Sequence, residues 1–145
     1  MRTWNRPALG ALLVLLAACA KPPPPQVNLL APNAAQMQLR SLQTRSIEAA
    51  DRDEAIRGVI ATLQDLGFII ERANASLGLV TAARFAEPNF RDVMAVTVTV
   101  RPESDGKMLV RLNAIYNNKP VEEPTVYQNF FATLERSLFV ASQEH

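Results

Sequence analysis

Apolar positions recur at two different periods along residues 38–145, and each change of period marks an element. Ile56, Val59, Ile60, Leu63 and Leu66 fall three and four apart. They follow Asp51-Arg52-Asp53-Glu54, an N-cap with acids in the first turn, and precede Gly67, where a left-handed C-terminal residue belongs. This predicts an amphipathic helix. Period two then takes over. Phe68–Arg72 and Leu77–Phe85 read as strands joined by a turn at Asn74-Ala75-Ser76, the second with Leu79, Thr81, Ala83 and Phe85 on one side. Beyond a polar loop at residues 86–92, Met94, Val96, Val98 and Val100 alternate with Ala95, Thr97, Thr99 and Arg101. Pro102–Gly106 is turn chemistry, and Met108, Val110, Leu112 and Ala114 alternate with Leu109, Arg111, Asn113 and Ile115 in a fourth strand. Asn117–Pro120 breaks it. Pro124, behind Glu122 and Glu123, opens a second helix carrying Tyr127, Phe130, Phe131, Leu134 and Leu138 through about Ala141. Gln38–Glu48 alternates imperfectly and reads as a weak edge strand.

The order (β)αββββα, with one apolar and one mixed face per strand, predicts an α+β fold. It is an antiparallel sheet of four to five strands covered on one face by two helices.

The first 37 residues follow neither period. Arg2 and Arg6 precede an apolar run from Ala8 to Ala18, about 11 residues long where a bilayer core needs about 20. This is the pattern of a secretory signal peptide over residues 1–18. The run ends in Leu16-Ala17-Ala18-Cys19, which resembles the bacterial lipobox. The resemblance implies cleavage before Cys19, a lipid thioether on its sulfur and acylation of the new amino terminus. Several acyl chains hold a protein on a membrane far longer than one does, since each buried methylene contributes about 0.8 kcal/mol. By the sorting pattern of such lipoproteins, Ala20 in place of Asp after the cysteine points to the outer membrane, facing the periplasm. Lys21 and Pro22–Pro25 then read as a stiff polyproline spacer, so residues 19–37 form a lipidated cysteine and linker and residues 38–145 a periplasmic domain.

Composition narrows the chemistry. Without Arg2 and Arg6 the 15 basic residues become 13 against 14 acidic ones, a balance that does not suggest a nucleic-acid partner. Cys19 is the only cysteine and His145 the only histidine. The mature domain therefore lacks the residue types of zinc or copper sites and of Ser/His or Cys/His nucleophile pairs, and no cofactor is implied. The acids Glu71, Glu87, Asp92, Glu103, Asp105, Glu122 and Glu123 are scattered over turns and solvated strand positions. Asp51, Asp53 and Glu54 lack EF-hand spacing and are explained by helix capping. A noncatalytic protein is expected.

The lipobox, the stretch Leu63-Gln64-Asp65-Leu66-Gly67-Phe68, the strand Leu77–Thr81 and the closing Phe130–Phe139 together resemble the helix-grip domains of BamC. BamC is the C-subunit lipoprotein of the outer-membrane β-barrel assembly machinery. The same stretches look like those of many small proteobacterial lipoproteins. The likeness covers most of the mature chain, although BamC has two such domains and this chain has room for one. It implies an assembly or interaction role in the envelope.

Two groups of residues are candidates for partner binding. Thr97, Thr99, Arg101, Arg111 and Asn113 project together if the third and fourth strands pair as a hairpin. Phe90 and Arg91, in the loop at residues 86–92, combine an aromatic and an arginine, frequent interface anchors. The reading that follows is a membrane-tethered module with an envelope protein partner. A carrier of a small apolar or lipid ligand between helices and sheet is the alternative.

Overall fold

The computed structural model describes residue 31 and residues 33–86 and 91–143. Contacts divide the chain into Met1–Ala31 and Pro32–His145, and the second unit holds every element named here. They run α1 (Ala34–Gln43), β1 (Thr44–Glu48), α2 (Arg52–Asp65), β2 (Ile69–Asn74), β3 (Leu79–Ala86), β4 (Asp92–Pro102), β5 (Lys107–Tyr116), β6 (Lys119–Pro120) and α3 (Pro124–Gln143). The sheet is antiparallel, in the order β1-β5-β4-β3-β2, with β6 paired to the end of β5. The α+β class and the one-sided antiparallel sheet are as the periodicity predicts.

Local chemistry accounts for the element ends. Asp51 caps α2 by accepting from the Glu54 amide at 2.7 Å, and the Glu54 carboxylate accepts in turn from the Ala50 amide. At the other end Phe68 N donates to the Leu63 carbonyl and Gly67 N to that of Gln64, with Gly67 at φ +79°. This is the Schellman closure expected at Gly67. In the β2–β3 turn the Asn74 side chain accepts from Ser76 Oγ and Leu77 N. Asp105 and Gly106, both at positive φ, turn the chain between β4 and β5.

Two segments differ from the sequence reading. Gln38–Glu48 is not a strand throughout: its first part belongs to α1, and only Thr44–Glu48 is extended. Asn33 and Gln36 form a reciprocal capping box, and Leu39 and Leu42, three apart, pack against the core. A cap and one apolar pair outweigh a short imperfect alternation. The folded unit thus starts before Gln38 and takes in residues assigned to the linker. The second difference is at Asn117–Pro120, which does not simply break the strand. Asn117 and Asn118 both take positive φ, the requirement of a two-residue hairpin turn, and Lys119 and Pro120 pair back onto Tyr116 and Ile115.

The core lies between the sheet and the helices. Val80 and Ala82 of β3, Met94 to Val100 at alternate positions of β4, and Met108 to Ala114 likewise of β5 face Ala55, Ile56, Val59 and Leu63 of α2 and the Tyr127–Leu138 stripe of α3. Phe130 and Phe131 meet edge to face with centroids 5.1 Å apart. Gly58 brings the helices together, since a methyl group there would lie 2.6 Å from Leu138 Cδ2.

Candidate interaction surface

Because side chains alternate across a strand, the register that buries one set of residues presents the other set on the far side of the sheet. Cross-strand pairing arranges that open face in rows. One row runs Thr44, Arg111, Thr99, Leu79, Asn74, and the next runs Asn113, Thr97, Thr81, Arg72. Ser46, Leu109 and Arg101 form a third on the opposite side of the first. Thr44, Thr97, Thr99, Arg101, Leu109, Arg111 and Asn113 line a shallow groove of about 440 Å³. All five open-face candidates named from the sequence therefore converge on one surface. Among the described residues no carboxylate lines it, and the Glu103 carboxylate accepts from Ser46 in the third row. Among the described residues one ion pair forms, Arg45 to Glu135 at 3.1 Å, and it involves neither Arg101 nor Arg111.

A buried side chain at the sheet edge holds one wall. Gln43, at the end of α1, accepts from Arg111 Nη2 at 3.3 Å through Oε1. Its Nε2 donates to Asn113 Oδ1 and to Tyr127 Oη, both at 3.4 Å. The Tyr127 hydroxyl donates to the Val121 carbonyl. Gln43 thus joins the groove to the helical layer and restrains Arg111, whose remaining donors stay free for a partner. Gln43, Thr44 and Leu109 were not among the sequence candidates. Gln43 lies some 70 positions from Asn113 along the chain, and no local pattern marks that contact.

The other end of the open face is apolar. Ile69, Ala83, Ala95 and Ile115 form one row across four strands, and Phe85 pairs with Val93 in the next. Ile69 and Phe85 are 69% and 60% exposed and the two alanines make a trough between the isoleucines. The side of β3 bearing Leu79, Thr81, Ala83 and Phe85 accordingly faces away from the helices. Arg91 is exposed immediately before β4, at this apolar end and outside the groove. Phe90 lies outside the described residues, as does Cys19.

At the same end Asp92 accepts from Tyr116 Oη at 2.7 Å and from Asn117 Nδ2 at 2.8 Å. The Tyr116 bond first, and the Asn117 bond second, hold the Asp92 carboxyl below its ordinary value, and the same bond raises the Tyr116 phenol.

Between helices and sheet a second cavity, of about 120 Å³, is walled by Leu63, Phe68, Met94, Val96, Leu112 and Phe130. Arg84 and Asn129 stand at its rim with Leu66 and Val126. Among the described residues no cluster of His, Cys, Asp and Glu suited to a metal ion occurs. Compared with known proteins, the chain matches no family model and no curated protein.

Proposed function

We propose that this protein is a noncatalytic, lipid-anchored interaction module at the periplasmic face of the outer membrane, and that its open sheet face docks a protein partner of the cell envelope. The observation that carries this reading is the convergence of Thr97, Thr99, Arg101, Arg111 and Asn113 on one groove that no carboxylate among the described residues lines. Two guanidiniums without an acidic partner among the described residues, flanked by hydroxyls and continuous with an exposed apolar row, suit a protein surface bearing acidic and aliphatic side chains. The lipobox ending at Cys19, the polyproline spacer and the likeness to BamC supply the membrane setting.

The alternative, a carrier of a bulky apolar or lipid molecule, is disfavoured by volume. Ligand sites commonly measure about 300–1,000 Å³, and the cavity between helices and sheet holds about 120 Å³.

Photo-crosslinking side chains installed at Thr99 and at Arg111 in intact cells test the docking surface, with Arg57 on the exposed side of α2 for comparison. Both open-face positions are expected to capture the same envelope protein, identified by mass spectrometry, while Arg57 does not. The capture should vanish in a Cys19→Ala background. Equal capture from Arg57, or none above the Cys19→Ala background, overturns the reading.

A further inference from the structure

The core-facing column of β3 reads Val80, Ala82, Arg84, so an arginine stands where the pleat calls for an apolar side chain. Its register partner is Met94, whose neighbour two positions on, Val96, is buried. Arg84 is exposed while most of the cavity's other walls are buried, so its guanidinium is held at the rim of the 120 Å³ cavity. Its centre lies 4.9 Å above the Phe68 ring, Nη1 donates to the Leu66 carbonyl at 3.0 Å, and Nη2 approaches the Met94 sulfur at 3.8 Å. The Leu66 bond completes the C-terminus of α2. It leaves most of the five N–H donors of the fork uncommitted, and among the described residues no carboxylate pairs with Arg84.

We propose that this cavity is a binding site for a small carboxylic acid with a compact apolar body, such as an arylacetate or a short branched acid. The apolar body occupies the space beside Met94 and Val96, and the carboxylate pairs with Arg84 at the rim. Size bounds the body: a cavity of about 150 Å³ with comparable apolar walls accepts benzene, and this one, at about 120 Å³, takes at most one ring or one short branched chain and no fatty acyl chain. Charge sets the head group. A planar guanidinium oriented by a ring and a backbone carbonyl is matched to bidentate carboxylate recognition, and the Asn129 amide stands at the same rim to take a further bond. The site lies on the helical side of the sheet and is independent of the docking surface proposed above.

Phenylacetate, benzyl alcohol and acetate titrated separately into the full chain, followed by methyl resonances, test the proposal. Phenylacetate should shift Leu63, Val96 and Val126 saturably, with Val93 and Leu109 on the open face unmoved. Benzyl alcohol, equal in body and lacking the charge, should bind the same methyls about threefold more weakly, the worth of an ion pair at a solvent-exposed arginine. Acetate should leave them unshifted. Arg84→Gln should bring phenylacetate down to the affinity of the alcohol while leaving the alcohol unchanged, and Val96→Leu, which fills the cavity, should weaken both. Equal affinity of acid and alcohol in the unaltered chain, no shift of the cavity methyls, or shifts confined to the open face near Arg101 and Arg111 would each overturn it.

Discussion

Gly78 sits beneath the backbone of β4 at φ +63°, where an added Cβ would lie 2.1 Å from the Val100 carbonyl oxygen. Its own carbonyl accepts from Val100 N at 2.8 Å, tying the β2–β3 turn to the neighbouring strand. Backbone, unlike a side-chain tip, cannot swing aside. Gly78→Ala is therefore expected to destabilise the domain by about 3 kcal/mol, combining positive-φ strain with the displaced contact, measured by urea unfolding. Asp92 and Tyr116 give a titration at the same scale. The folded-state carboxyl lies below its ordinary value of 3.8, so its stabilising effect is present above that value and is lost as pH falls through the lowered one. The phenol lies above 10.0, so its effect is present below that value and is lost as pH rises through the raised one. Asp92→Asn should flatten the acid limb of the stability profile and bring Tyr116 back toward its ordinary titration, read by tyrosinate absorbance. A glycine inside the Leu77–Phe85 alternation marks either a bulge or a close backbone approach. That Val100 is the atom group approached follows only from pairing between strands.

Among the elements, α1 shows how local signals compete. Asn33 Oδ1 accepts from Gln36 N at 2.8 Å, and Gln36 Oε1 accepts from Asn33 N at 3.1 Å. This box starts a ten-residue helix whose polar exposed side gives it little support of its own. Asn33→Ala should weaken α1 by about 1 kcal/mol, seen as faster amide hydrogen exchange from Met37 to Gln43, with α2 and the sheet unaffected. Fraying that reaches Gln43 would also release Arg111, so the cap and the groove are coupled through one buried amide. The long elements were legible because each repeats its period several times: α2 over Ile56–Leu66, α3 over Tyr127–Leu138, and the alternation of β4 and β5. The stretch from Gln38 to Glu48 changes from helix to strand at Thr44, too soon for either period to repeat. At Asn117 and Asn118 the turn residues themselves were visible, but whether the chain leaves the sheet or folds back depends on a partner edge, here the end of β5.

For the whole molecule, the helices and the open face divide the labour. The helical side supplies the buried core, and the far side is released to carry Arg101, Arg111, the threonines and the apolar row from Ile69 to Ile115. The proposed lipid anchor predicts that Cys19→Ala moves the protein from the membrane fraction to the soluble fraction of the envelope without changing its unfolding midpoint, because such an anchor acts on location and not on the Pro32–His145 fold. Retention of the variant in the membrane fraction would count against an acyl anchor at that residue.

The sequence by itself determined the parts whose physics is local. Periods of 3.6 and two, caps at Asp51 and Gly67 and turn residues at Asn74 and Gly106 dictate where backbone hydrogen bonds close and which side chains share a face. They were sufficient for the α+β class and, with the turn at Pro102–Gly106, for placing Thr97, Thr99, Arg101, Arg111 and Asn113 together on one hairpin. Tertiary structure decided the rest. The register Thr44↔Arg111 brought β1 and Thr44 to the groove, packing of Val80 and Ala82 into the core turned Phe85 outward, and the meeting of α1 with β5 set Gln43 between Arg111 and Tyr127. Each rests on contacts between residues far apart in the chain, selected because the whole core must close at once, and no short window of the sequence contains both sides.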